Sequence, residues 1–389
     1  MANSAASNLT LAPFSEKDVT DAARKALHAV GGRVSCAFVF ASADYRPHLP
    51  DFLDILQVHG HVPLLVGCSA STLVGRSLEA EAQSGFSLLL LHLPESTLHC
   101  HTLSADHVAQ GKTDPHVWQR LTGVSPDEVD AWIMLADPIT FPVEDCLASW
   151  NRAYPGIPTI GGAASGGSNA RDIFLLRDDQ AVEGAVVLGF KGGVRIQTIV
   201  SQGCRPIGEP LPITGADRHF VLSLGSRPAY EVLQETFNAL PAADKALARG
   251  NLLAGLAMSE YVDEFKTGDF LVRGLLGGDP EHGAIAIAAH PRIGQTLQFQ
   301  LRDHKSADAE LRHLAQEKAA AGLQPLASLL FACNGRGTDL FGSPSHDAEL
   351  LQSLLGSHPG AGLFCNGEIG PVGEKTFVHG YTASVALFA

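Results

Sequence analysis

Two short turns near the C-terminus carry the residue types best suited to chemistry. The first is Cys333-Asn334-Gly335-Arg336-Gly337, and the second is Cys365-Asn366-Gly367-Glu368. Each follows an apolar run, LASLLFAC (326–333) or AGLFC (361–365), and a helix-like segment, 347–355, lies between them. Glycines permit positive φ, so successive backbone N–H groups can turn toward one small anion. An arginine fork holds a carboxylate in bidentate fashion, and a glutamate holds an ammonium. Arg336 and Glu368 therefore read as a site for a small polar or zwitterionic molecule, with Cys333, Asn334, Cys365, Asn366 and Gly367 around it. The plainer alternative is that the glycines only make turns and the Arg and Glu pair with each other. Downstream, HGYTAS places His379 and Tyr381 on one strand face, as a wall of the same pocket or as an exposed pair.

The other reactive types point less clearly. A thiol nucleophile at Cys333 or Cys365 needs a base within reach, and His379 is the candidate. Small apolar cysteines at packed strand ends are the commoner case. His99 and His101 share a strand face, but no carboxylate or cysteine at ligand spacing accompanies them. GGAASGG (161–167) runs from one strand toward another, so it is a nest of small residues and not a dinucleotide fingerprint. Neither a P-loop nor a G-x-S-x-G elbow is present. In SPSHDAEL (343–350), Ser345 or Asp347 is placed to cap the following helix.

The elements that must position these turns repeat along the chain. CAFVFA (36–41), a helix and VPLLVG (62–67) lead into CSAS (68–71). AWIMLA (131–136), a helix stopped at Tyr154-Pro155-Gly156 and IPTIGG (157–162) lead into the nest GGAASGG. HFVLSL (219–224), a helix and LLAGLAMSE (252–260) form a third copy, after a Pro/Gly-rich linker at 202–215 in which Arg205 and Glu209 can pair. The C-terminal turns close a fourth copy. Hairpin-like strands follow these strand–helix–strand units and imply antiparallel or mixed sheets, which predicts an α+β fold of two related domains, 30–210 and 214–389. Each domain is a duplicated strand–helix–strand–hairpin unit with helices covering mixed sheets.

Length and composition agree. The 389 residues are 45% hydrophobic and 17% charged, with 40 glycines and 7% aromatics, a globular composition with many tight turns. A net charge of −14 argues against nucleic acid or an anionic membrane surface as partner. Seven cysteines without a C-x-x-C pair suggest neither a zinc knuckle nor a disulfide framework, and so a reducing, cytoplasmic setting. The N-terminus lacks a secretory pattern, and FSLLLLHL (86–93) is too short to span a bilayer.

Taken together, CNGRG, CNGEIGP and HGYTAS resemble the C-terminal half of the FIST family of sensory domains. GCSAS (67–71), GGAASGG and QGCRPIG (202–208) resemble its N-terminal half. The resemblance implies an intracellular sensor of a small ligand, with amino acids and related metabolites as first suspects. No F-box or signalling module accompanies the match, so it also implies a separate signalling partner. Some members bind haem, which makes a non-covalent haem nitric-oxide sensor acting on a histidine kinase the alternative. A Cys-dependent hydrolase or transferase is the second alternative.

Overall fold

The structure, a computed structural model, describes residues 2–167, 170–261, 264–265 and 268–389. Among them are 10 α-helices and 25 strands in mixed sheets. The α+β class with two domains is therefore what the chain adopts. The chain divides into two compact units. One comprises 1–200, 311–378 and 382–389, and the other comprises 201–310 with 379–381.

The first unit is built from one motif used three times. In the first repeat, β1 (Cys36–Ala41) leads through helix α1 (Leu49–Gly60) to β2 (Leu65–Ser69). In the second, β3 (Ala131–Ala136), α2 (Val143–Ala153) and β4 (Thr159–Ala163) do the same. In the third, the elements are β5 (Ala327–Cys333), α3 (His346–Leu355) and β6 (Gly360–Cys365). Each strand pair is parallel. All of these strands but β5, whose last residue Cys333 is half-buried, are buried along their whole length. Unbroken apolar runs such as CAFVFA and AWIMLA suit strands covered on both faces. Each pair gains an antiparallel neighbour from its own repeat: Phe86–His92, Ala185–Lys191 or Ala383–Phe388.

A hairpin follows each second strand and joins a different repeat. Thr72–Gly75 pairs with β6, Leu175–Arg177 with β2, and Glu368–Val372 with β4. The three exchanges form a closed cycle, so every repeat completes the sheet of another. Three six-stranded sheets result. Their inner faces share one core containing Phe40, Cys68, Ile133, Ile160, Phe331 and Leu363. Their outer faces are covered separately by helices of each repeat. Gly67, Gly161 and Gly362 occupy matching positions in β2, β4 and β6, opposite Val39, Met134 and Leu330. A Cβ at these glycines would lie 1.9, 1.8 and 2.0 Å from the facing carbonyl oxygens, so only glycine fits.

The second unit is different. Its seven strands pair antiparallel, and an added pairing of Cys204–Asp217 with Phe220–Leu224 closes the sheet on itself. Phe220–Leu224 and Leu252–Ala257, read as the two strands of a third copy, each take antiparallel neighbours and do not pair with each other as β1 and β2 do. The alternating burial of Phe220–Leu224 is that of a strand with one face open, unlike β1 or β3. The stretch read as a linker, 202–215, is mostly the long strand Cys204–Asp217. Its prolines are tolerated beside a register shift between Ile207 and Leu211 that interrupts the pairing. Arg205 there pairs with Asp244 at 2.7 Å and Asp303 at 3.4 Å, and the exposed Glu209 is not its partner.

Candidate functional site

The C-terminal ends of the parallel pairs come together in the first unit. Backbone bonds tie one repeat to the next: Ser165 N–H donates to Ser69 O (3.1 Å), Asn366 N–H to Ala163 O (3.0 Å) and Ala163 N–H to Gly367 O (2.8 Å). Ser71 N–H donates to Ser165 Oγ at 2.9 Å, and the Ser165 hydroxyl donates to the Phe364 carbonyl. Side chains continue the network. Ser71 Oγ donates to Asn334 Oδ1 (2.6 Å), Asn334 Nδ2 to Asn366 Oδ1 (2.7 Å), and Asn366 Nδ2 to Ala164 O (3.0 Å). The turns GCSAS, GGAASGG, CNGRG and CNGEIG thus form one mouth, with Asn334 and Asn366 exposed at its rim. The matching AMSE turn belongs to the second unit.

Beneath the rim the groups are charged and buried. Arg336 is 1% exposed and Asp347 0%. The guanidinium forks onto the carboxylate, Nε to Oδ2 at 2.5 Å and Nη2 to Oδ1 at 2.9 Å. His346 Nδ1 lies 3.0 Å from the same Oδ1, and its ring stacks on Phe341. Burial alone would raise the Asp347 carboxyl, but the charge and hydrogen bonds of Arg336, helped by His346, outweigh it and hold Asp347 down to about 2. Glu79 reaches this cluster from the first repeat's hairpin. Burial, then the Asp347 charge, pushes its carboxyl up to about 7. Its Oε1 accepts from Ala348 N–H at 2.9 Å, while Ser345 Oγ accepts from Glu79 N–H at 3.1 Å. The Glu79 carboxylate thus caps the first turn of α3 from another repeat, and the Ser345 hydroxyl ties down the backbone of Glu79 without capping the helix itself.

Glu368 forms a second buried acid. Its Oε2 accepts from Thr382 N–H at 3.0 Å. The Cys365 thiol donates to its Oε1 at 3.5 Å, and Cys333 also hydrogen-bonds it. Burial dominates these hydrogen bonds and the distant help of Arg336, and pushes Glu368 up to about 8. Cys365 itself is raised well above the usual thiol range, first by burial and then by Glu368.

Seven of the nine residues singled out in the sequence are therefore gathered here: Cys333, Asn334, Arg336, Cys365, Asn366, Gly367 and Glu368. The carboxylate on the Arg336 fork is the protein's own Asp347, which the sequence marked as a helix cap. His379 and Tyr381 fall in the second compact unit. His379 is buried there, and Tyr381, at φ +65°, packs with Cys204, Leu253 and Val272. The Arg302 guanidinium carbon lies 5.2 Å from the Tyr381 ring centroid. Ser71 and Ser165 lay within noted motifs but were not nominated singly. Glu79 carried no sequence signal, since its role comes from a hairpin 269 residues away from its helix.

Comparison with known proteins matches residues 35–227 to the profile described as "FIST N domain" and 229–371 to "FIST C domain". The chain belongs to the FIST family. FIST domains are sensory domains. An uncharacterized protein from Mycobacterium tuberculosis is 38% identical over 375 residues, spanning 94% of this chain and 95% of the relative. Another, from Mycobacterium bovis, is 37% identical over 381 residues, spanning 97% and 96%. Among solved structures, a cyanuric acid hydrolase from A. caulinodans aligns over 100% of this chain and 99% of its own, at 11% identity and a TM-score of 0.34, too low to bear on function.

Haem, the alternative the resemblance implied, needs an axial His, Cys or Tyr beside an apolar slot. His358 has both ring nitrogens engaged, by the Gly356 carbonyl and Ser328 Oγ. Cys36, Cys68, Cys146 and Cys365 are packed into strands or a helix, with their thiols raised by burial. These residues do not fit haem. Among the described residues no group of three His, Cys, Asp or Glu is arranged to hold a metal ion, and no helix is long and apolar enough to cross a membrane.

Proposed function

We propose that this FIST protein is a cytoplasmic sensor that binds a small polar metabolite, an amino acid or a related compound, at the mouth of the first unit and signals to a separate protein. The convergence of four Gly- and Ser-rich turns into one hydrogen-bonded rim supports this reading. Asn334, Asn366, Gly367 and Cys333 contact the ligand. The Asn334 and Asn366 side chains hold one another, and Ser71 and the Ala164 carbonyl hold them in turn, so little ordering is needed on binding. Arg336 and Glu368 act from below, one as a fixed charge balanced by Asp347, the other as a protonated acid at neutral pH. Cys365 packs beneath them and keeps its proton, which argues against thiol catalysis.

The test is a thermal-shift panel of amino acids, small organic acids and haemin, run on the wild type and on Asn334→Ala and Asn366→Ala. A ligand at a hundredfold excess over Kd stabilises the folded state by about 2.7 kcal/mol. A shift from one metabolite that both substitutions remove is the expected result. A shift that survives both substitutions places the ligand elsewhere. A shift with haemin alone replaces this reading with the haem sensor.

A further inference from the structure

The three repeats allow a comparison at one position. Counted from the matched glycines Gly67, Gly161 and Gly362, Cys333 and Cys365 correspond to Ser42 and Ala70 in the first repeat and to Asp137 and Ala164 in the second, and in the third they face each other in register. Ala70, Ala164 and Cys365 all face the shared core, so packing there does not require a thiol. Three residues on, the first two repeats have Leu73 and Gly167, whereas the third has Glu368, to which both thiols are hydrogen-bonded.

We propose that Cys333 and Cys365 are a redox pair, closed to a cross-strand disulfide at the mouth by a peroxide-class oxidant. Residues in register on neighbouring strands point to the same face and sit about 4.8 Å apart. That spacing lies inside the Cα window of about 4.4–6.8 Å that disulfides use. Neither cysteine is in a disulfide, and Cys333 is half-buried and Cys365 fully buried. The half-buried thiol meets the oxidant first. Its sulfur attacks one peroxide oxygen, the O–O bond breaks, and Cys333 becomes a sulfenic acid as the other oxygen leaves as water or alcohol. Cys365 then attacks the Cys333 sulfur, the S–OH bond breaks, and the Cys365 proton leaves with that hydroxide as a second water. Glu368 Oε1, 3.5 Å from the Cys365 sulfur, stands where that proton departs. Two thiols lose two electrons, and one peroxide gains them. Full burial keeps Cys365 away from the oxidant and leaves it the second, resolving step. The proposal does not depend on the ligand reading.

Hydrogen peroxide added to the purified full-length protein should remove two of its seven thiols and lower the intact mass by about 2 Da, reversibly with a dithiol reductant. Peptide mapping should find the link between Cys333 and Cys365. Cys365→Ser should trap a dimedone-reactive sulfenic acid at Cys333, and Cys333→Ser should leave Cys365 unmodified. The mapping on wild type decides the question even if a buried substitution disturbs folding. Irreversible oxygen addition at Cys333 without a link, a link between other cysteines, or no reaction of either thiol would each overturn the proposal.

Discussion

Arg336 forks onto Asp347 with neither side chain reaching solvent, so the strongest cation near the mouth is neutralised by a residue eleven positions along the chain. Breaking such a pair from one side leaves an uncompensated buried charge. Arg336→Ala should therefore cost about 3–5 kcal/mol, while the paired replacement Arg336→Met with Asp347→Leu should restore most of it. Urea unfolding followed by tryptophan fluorescence reports the first unit, because Trp118, Trp132 and Trp150 all lie there. An Arg336→Ala midpoint equal to that of the wild type would show that the pair contributes nothing.

The hairpin of the first repeat caps two helices of the third. Glu79 accepts from Ala348 N–H, and Glu81 accepts from both the N–H and the hydroxyl of Thr338. Losing a capping side chain costs about 0.5–2 kcal/mol. Glu79→Ala should fall toward the upper end, since it also strips the buried cluster of a member, and Glu81→Ala toward the lower. Amide exchange should rise at 338–341 in Glu81→Ala and at 346–349 in Glu79→Ala. Equal protection in wild type and variants would rule out capping across repeats.

Gly67, Gly161 and Gly362 test the threefold architecture directly. An added Cβ at any of them would sit inside the contact distance of a neighbouring strand's carbonyl, and backbone cannot move aside cheaply. Each change to Ala should destabilise by about 4 kcal/mol or more. Gly123→Ala, where the Cβ meets nothing but φ is +64°, should cost only about 1 kcal/mol. If one of the three strand glycines tolerates Ala as well as Gly123 does, that strand pair is not packed like the others.

The buried strands were legible as strands because a continuous apolar run such as AWIMLA has few alternatives to a doubly covered strand, but their parallel pairing was not. The exchange of hairpins was not, because Leu73 pairing with Leu363 leaves no periodic trace in either segment. For the same reason the site was half legible. CNGRG and CNGEIG announced themselves by composition, and their neighbours GCSAS and GGAASGG by small residues after strands. Asp347 had a complete local explanation as a helix cap, and only the fold shows that Glu79 takes that role and leaves Asp347 to Arg336. The third apparent copy misled because strand–helix–strand order alone does not distinguish a parallel pair from antiparallel neighbours.

The two buried acids predict how stability follows pH. Glu79 and Glu368 are raised from 4.5 to about 7 and about 8, both chiefly by burial. An acid raised in this way keeps in the folded state a proton that the unfolded chain releases. Its contribution is fully present below pH 4.5 and is lost as pH rises through 7 for Glu79 and through 8 for Glu368. Asp347, lowered from 3.8 to about 2, behaves oppositely: its contribution is present above 3.8 and is lost as pH falls through 2. Between pH 5 and 8 the wild type should therefore lose stability. Glu368→Gln cannot ionise, and its amide oxygen can still accept from Thr382 N–H. Its decline over that interval should be smaller by a few kcal/mol, each unit of separation being worth about 1.4 kcal/mol. Urea midpoints at pH 5 and pH 8 measure the difference, and parallel slopes for wild type and Glu368→Gln would mean that Glu368 is ionised in the folded protein at neutral pH.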